Sequence, residues 1–151
     1  MSSPTAATPA HEALAPFVGT WNTQGEVKLL GPSGRAAPFH ATDNYEWLPG
    51  GHFLLHRFAS HMPDGDIEGV EVIGYDASKK IYTLHSYDSQ GNAGQMQATV
   101  DGDQWAFNGG NMRFRGGFRD AGRVFAGTWE MRERMTGPWR TWMTVELRKA
   151  P

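Results

Sequence analysis

Two histidines, His56 and His85, are the residues of this chain best suited to chemistry. Imidazole titrates near neutral pH and can donate, accept or coordinate, so two such rings facing one cavity suit ligand binding or proton transfer. Asp43, Tyr45 and Tyr87 lie on neighbouring predicted strands, where a carboxylate or phenol can orient an imidazole. Three interpretations stay open at this point: ligand binding, acid–base catalysis, or core histidines satisfied by their neighbours.

Four consecutive antiparallel strands are predicted to position these side chains. They are separated by short segments rich in Gly, Pro, Asp and Ser, as chain reversals require. The four predicted strands span residues 43–48, 53–60, 67–76 and 81–88. Placing Arg57 opposite Glu71 as an outer-face charge pair sets the register. That register puts four side chains in a row on the inner face: Tyr45, His56, Val72 and His85.

The same alternation of apolar and polar residues continues through the rest of the chain. Six further strands are predicted, at residues 19–30, 95–101, 104–107, 112–119, 124–135 and 140–149. The segment 31–38 is rich in Gly and Pro, and we expect it not to pair. A sheet of ten hairpin-linked strands with one apolar face usually closes on itself, because closure removes the exposed edges.

We therefore predict an all-β fold, a single antiparallel up-and-down β-barrel of about ten strands. The barrel domain would span residues 11–149 and begin with a short N-terminal helical turn, after a disordered arm at residues 1–10. A two-sheet sandwich is the alternative, although it favours longer connections than this sequence offers.

Composition excludes several classes of protein. The chain has 151 residues, enough for one domain with a real core, and no cysteine, which fits a reducing cytoplasm. We find no apolar run of about 20 residues and no secretory signal, so no membrane association is expected. The net charge of −2 argues against nucleic-acid binding. Acidic residues dominate up to residue 103 and basic residues dominate beyond it, a dipolar surface that leaves a homodimer open.

Catalytic and metal-binding motifs are not found. The sequence contains no nucleophile elbow, no phosphate-binding glycine loop and no dinucleotide fingerprint. A metal needs three or four ligands in a defined geometry, but His52 and His61 fall in predicted turns and no H-x-H pair occurs. We therefore expect no metal.

Ordered motifs carry a resemblance to known families. The FVGTW segment at residues 17–21 resembles the opening of calycin-type barrels, the lipocalin and fatty-acid-binding group. That segment, followed by YEWLPGGHFLLHR (45–57), GYDASKKIYTLHSYDSQG (74–91) and DGD-W (101–105), resembles a bacterial family called domain of unknown function 1579. The likeness runs from about residue 17 to residue 148 and implies a calycin-like barrel. It implies no activity, substrate or catalytic residue.

The opening G-x-W also resembles that of nitrobindin-like haem barrels. Those barrels hold haem through a histidine near the C-terminus, and this chain has no histidine after His85. The resemblance therefore does not extend to a haem ligand, and we expect no cofactor.

The favoured hypothesis is a barrel that holds a small apolar or aromatic molecule in its lumen. The predicted apolar wall consists of Trp47, Phe58, Val72 and Trp129. The predicted hydrogen-bonding groups are Tyr45, His56, His85 and Tyr87. The alternative is an isomerase or cyclase in which His56 or His85 is the general base. A second alternative is a structural barrel with a filled interior and no ligand.

Overall fold

A computed structural model describes residues 6–28 and 35–151 of the chain. A short helix, α1 (Pro9–Glu12), and a 3₁₀ turn at Ala15–Phe17 precede the sheet. Ten strands follow in the described residues: β1 (Gly19–Lys28), β2 (Ala36–Trp47), β3 (Leu54–Met62), β4 (Gly65–Asp76), β5 (Ile81–Asp88), β6 (Ala93–Asp101), β7 (Gln104–Asn108), β8 (Met112–Arg119), β9 (Val124–Met131) and β10 (Arg140–Lys149).

Every strand pairs antiparallel with the strands before and after it in the chain, and β1 also pairs with β10. The closing ladder runs from Trp21 opposite Lys149 to Val27 opposite Met143. This closure leaves no free sheet edge among the described strands. The prediction of a ten-stranded up-and-down barrel is therefore confirmed, and the sandwich alternative is wrong.

The N-terminal residues close one end of the barrel. Leu14, Phe17 and Trp21 are buried there, and the Trp21 indole Nε1 donates a hydrogen bond to the Phe17 carbonyl at 2.8 Å. The Tyr82 hydroxyl donates to the carbonyl of Ala10 at 2.6 Å, which fixes α1 against the barrel. None of the described helices is long and apolar enough to cross a membrane.

Several strand boundaries differ from the prediction by one or two residues, and two differ by more. Strand β2 begins at Ala36, because residues 36–38 pair with β1 although the segment 31–38 was expected not to pair. Strand β9 ends at Met131 rather than at residue 135. Helix α1 starts at Pro9, inside the expected disordered arm. Residues 1–5 of that arm, Leu29 and Leu30 of the first predicted strand, and residues 31–34 of the segment expected not to pair lie outside the described residues.

The inner and outer faces of β4 and β5 are the reverse of the prediction. The β3–β4 hairpin has a two-residue turn, with Met62 opposite Gly65, and this places His56 opposite Glu71. Arg57 lies opposite Val70, one residue away from its expected partner Glu71. Because side chains alternate along a strand, a slip of one residue exchanges the two faces.

The exchange continues through β5 and ends at the β5–β6 connection. Ile73 and Leu84 are opposite each other and belong to the buried core. Leu84 in turn lies opposite Met96, which packs against that core as predicted. Within the described residues, the predicted inner residues of the other eight strands keep their face.

Candidate functional site

The His56 imidazole lies in the lumen between two carboxylates. Its Nε2 is 2.6 Å from Oδ1 of Asp43, and its Nδ1 is 3.1 Å from Oε1 of Glu71. The Thr23 hydroxyl donates to the other oxygen of Asp43. The three ionisable side chains are 11–19% exposed, so water reaches them only in part. We call Asp43, His56 and Glu71 the lumenal triad.

Strand pairing explains how four sequence-distant residues meet. Thr23, Asp43, His56 and Glu71 lie on β1, β2, β3 and β4, each next to the following one in the sheet. All four face inward, and neighbouring strands are only about 4.8 Å apart. The side chains therefore form a continuous polar row across four of the ten strands of the barrel wall.

The contacts of His56 favour its protonated form. Both ring nitrogens face carboxylate oxygens, and only the imidazolium donates from both nitrogens. Burial by itself lowers the pKa of His56, but the hydrogen bonds that His56 donates to Asp43 and Glu71, together with the negative charges of these carboxylates, outweigh burial and raise that pKa to about 9. At neutral pH the triad thus contains one positive and two negative charges.

Tyr45 packs on the face of this imidazolium. The two rings are nearly parallel, with centroids 4.0 Å apart and an angle of 7° between their planes. Burial, followed by the charges of Asp43 and Glu71, raises the pKa of the Tyr45 hydroxyl well above its usual value. Tyr45 therefore stays neutral, and its ring holds the His56 ring in place through a cation–π contact.

A cavity of about 670 Å3 occupies the lumen beside the triad. Two sides of the cavity differ in chemistry. The polar side consists of the triad with Thr23, Tyr45 and Ser60. The opposite side is apolar and consists of Phe107, Phe114, Phe125, Trp129, Met143, Val145 and Leu147. Lys28, Pro63, Asp64 and Gln90 lie around the open end.

Two glycines shape the aromatic side. Gly116 and Gly127 are opposite each other on β8 and β9. A Cβ atom on either would lie within 2.6 Å of Cζ of Phe114, so the ring occupies the space that larger residues would need. The Phe114 ring packs against Phe125 and Trp129, with centroid distances of 5.5 and 5.1 Å. The aromatic wall is therefore tightly packed and leaves the free volume next to the triad.

Of the eight predicted site residues, three line the cavity, two lie outside its lining and three face outward. Tyr45, His56 and Trp129 line the cavity, as expected. Trp47 packs against the core, outside the cavity lining. Phe58 lies beside His56, with ring centroids 5.7 Å apart, and its ring covers Gly69.

Three further predicted site residues do not face the lumen. The prediction that Val72, His85 and Tyr87 point inward is wrong, because the β3–β4 turn shifts the register by one residue. Val72 and His85 are half-buried on the outer face, and Tyr87 is 54% exposed. His56 and His85 therefore do not face one cavity as predicted.

Glu71 is the functional side chain that the sequence interpretation assigned to the wrong face. It was placed outside as the partner of Arg57, whereas Arg57 bonds to Glu46. Asp43 was expected to orient a histidine, and its contact with His56 agrees with that. A two-residue Pro63–Asp64 turn, read from the segment HMPDGD, would have placed Glu71 opposite His56.

The other surfaces of the described residues are weaker candidates for a functional site. Within residues 6–28 and 35–151, no group of three or more His, Cys, Asp or Glu side chains is arranged to hold a metal ion. A groove of about 840 Å3 lies on the outer surface across β2, β1, β10 and β9, away from the triad. It is wide open to solvent and contains the Arg119–Glu146 ion pair. The lumen is the enclosed site and is the better candidate.

Fold and site together define a closed antiparallel β-barrel with a cavity and a charged triad in its lumen. The chain belongs to the DUF1579 family, since the model of that family, described as "Protein of unknown function (DUF1579)", matches residues 6–149. This confirms the family resemblance that the motifs predicted, whereas the calycin-like relationship stays a prediction. A comparison with curated proteins found no match.

A solved structure shares the fold. The chain is similar to the crystal structure of Rv2717c from M. tuberculosis, with a TM-score of 0.64 and 17% identity, over 95% of this chain and 99% of that chain. A de novo designed fluorescence-activating β-barrel matches with a TM-score of 0.46 and 16% identity, over 91% and 97% of the two chains. At 17% identity the likeness to Rv2717c concerns the fold alone.

Proposed function

We propose that this barrel binds a small apolar or aromatic molecule in its lumen. The observation that carries the proposal is the cavity of about 670 Å3, with an aromatic wall on one side and a charged triad on the other. This volume falls within the roughly 300–1,000 Å3 typical of ligand pockets. Such pockets combine mainly apolar walls with a few polar groups that orient the ligand, and this lining has that composition.

The cavity volume favours ligand binding over a filled structural barrel. Protein interiors are close-packed, and large voids are costly because their lining atoms lose contacts. A lumen of this size, open at one end and partly polar, is therefore better explained as a binding site than as a packing defect.

Acid–base catalysis by His56 receives less support than binding. A general base must have a nitrogen free to accept a proton near neutral pH. Both nitrogens of His56 face carboxylates, and the pKa of about 9 keeps the ring protonated. His85, the other candidate base, lies outside the lumen.

The proposal can be tested with a neutral aromatic dye, N-phenyl-1-naphthylamine, whose fluorescence rises in apolar surroundings. Ala41 is buried and lines the cavity, so Ala41→Trp should fill the lumen and weaken dye binding at least about tenfold. The matched control is Thr42→Trp, which adds the same side chain on the exposed outer face of the same strand. It should leave the dye affinity unchanged.

Folding of each variant is checked by near-ultraviolet circular dichroism. If Ala41→Trp does not fold, Val145→Phe fills the cavity from β10 and serves the same purpose. Equal dye affinity in the filled and control variants, or no binding by the wild-type chain, would contradict lumenal binding. If the dye binds in the lumen, native mass spectrometry of protein purified from its own host would identify a molecule that is bound there.

A further inference from the structure

The lumen carries an unbalanced negative charge. Asp43 and Glu71 share a single imidazolium, that of His56, so the triad has a net charge of −1. The other charged residues that line the cavity are Lys28 and Asp64, which are exposed at its open end. Among the described residues, no further cation lies in the enclosed part of the cavity. A negative charge in such surroundings is costly unless a partner neutralises it.

Glu71 is the member of the triad that has bonding capacity left. Both oxygens of Asp43 accept hydrogen bonds, one from Thr23 and one from His56. Glu71 accepts from His56 through Oε1, and its Oε2 has no donor among the described residues. Both hydrogens of the imidazolium are already donated to the carboxylates. The polar side of the cavity can therefore accept a hydrogen bond from a ligand at Glu71.

The apolar side of the cavity can hold the rest of a ligand that donates a hydrogen bond to Glu71. The rings of Phe107, Phe114 and Trp129 pack together with centroid distances of 5.0–6.1 Å. They offer surface for an apolar or aromatic body, and aromatic faces also attract cations. An anionic ligand would add a third negative charge beside the carboxylates of Asp43 and Glu71, and neutral donors such as the Tyr45 and Ser60 hydroxyls carry no charge to offset that repulsion.

We propose that the lumenal ligand is a protonated amine on a small aromatic or apolar body, with its ammonium group donating to Oε2 of Glu71. This inference rests on the proposed function, because it assigns the chemical class of the molecule that the lumen would bind. The ammonium supplies the positive charge that the triad lacks, and the body fills the space beside the aromatic wall.

The test compares three probes that share one phenylbutyl body and differ in charge. They are 4-phenylbutylamine, 4-phenylbutan-1-ol and 4-phenylbutyrate, titrated by isothermal calorimetry at neutral pH. We expect the amine to bind at least about tenfold more tightly than the alcohol. We expect 4-phenylbutyrate to bind most weakly, because it adds a third carboxylate to the lumen.

A pair of isosteric variants assigns the effect to Glu71. Glu71→Gln keeps the size of the side chain and removes its charge, so the amine should lose its advantage over the alcohol. The matched control is Glu68→Gln, which removes the same charge from an exposed position on the same strand. This variant should keep the full preference for the amine. The alcohol should bind all three proteins with Kd values within about twofold.

The outcomes separate this inference from the proposed function. If the alcohol or the butyrate binds the wild-type chain as tightly as the amine, the inference is wrong and lumenal binding stands. If Glu71→Gln keeps the preference for the amine, the assignment to Glu71 is overturned. The ranking of probes in the wild-type chain decides the question even if Glu71→Gln does not fold. If neither these probes nor the neutral dye binds, the proposed function itself fails.

Discussion

His56 and His85 lie on β3 and β5, and they face opposite sides of the barrel wall. The His56 ring is enclosed, with a carboxylate at each nitrogen and Tyr45 stacked on its face. His85 is half-buried on the outer face, and its ring has no hydrogen bond or ion pair with the described residues. The charge of His56 depends on Asp43 and Glu71, whereas His85 has no such partners among the described residues.

The inner and outer faces of β4 reverse the usual distribution of polar and apolar side chains. On β4, the inward residue Glu71 is charged, and the outward residues Val70 and Val72 are apolar. A buried charge is tolerated when it is paired and hydrogen-bonded, and the triad meets this condition. The difference teaches that the lumen has a polar row on β1 to β4 and an apolar wall on β7 to β10, so that a bound molecule would have a preferred orientation.

The largest expected effect is the loss of the His56 side chain. In His56→Gln, Asp43 and Glu71 lose the positive charge between them, so two carboxylates face each other in a poorly solvated space. Removing one partner of a buried ion pair costs about 3–5 kcal/mol. The free energy of unfolding, measured by urea denaturation at neutral pH, should fall by that amount.

The matched control for His56→Gln is the same substitution on the outer face. His85→Gln should change the free energy of unfolding by no more than about 0.5 kcal/mol, as is usual for surface positions. Similar losses in the two variants would mean that the triad does not contribute the expected stability.

The next effect is a dependence of stability on pH. The pKa of His56 is about 9 in the folded chain and about 6.5 in the unfolded chain, so the folded state holds its proton over a range in which the unfolded state releases it. Rising pH therefore favours unfolding. Below about pH 6.5, His56 makes its full contribution to the free energy of unfolding. About 3 kcal/mol of that contribution is lost as the pH rises from about 6.5 through about 9.

Urea denaturation of three proteins across this pH range checks the prediction. The wild-type chain and His85→Gln should both lose stability as the pH rises, because both contain His56. His56→Gln should lack this component of the pH dependence. A fall of the same size in His56→Gln would assign the titration to another group.

Much of the barrel could be predicted from the sequence, because most strands have one clearly apolar face. On β9, Phe125 and Trp129 alternate with the outward-facing Thr128 and Glu130, so the inner face is unambiguous. Tight hairpins such as the one between β6 and β7, in which Asp101 is opposite Gln104, then fix the order of the strands. These local signals are sufficient to give ten strands and a closed sheet.

The faces of β4 and β5 could not be predicted in the same way. Both faces of β4 contain apolar residues, such as Val72 on one side and Ile73 on the other, so the alternation does not identify the inside. The register of β3 and β4 then depends on which residues of HMPDGD form the turn. The opposite charges of Arg57 and Glu71 favour a pairing that predicts the wrong register. A partly buried, inward-facing glutamate is also contrary to the usual preference, and its contact with His56 explains it.

The smallest of the expected effects tests the register at two adjacent residues of β4. Ile73 is 6% exposed and packs in the core, so Ile73→Ala should lower the free energy of unfolding by about 2 kcal/mol or more. Val72 is half-buried on the outer face, and Val72→Ala should cost at most about 1 kcal/mol. Urea denaturation of the two variants measures both values. Because the originally predicted register places Val72 inside and Ile73 outside, a larger loss for Val72→Ala would restore that register and remove Glu71 from the lumen.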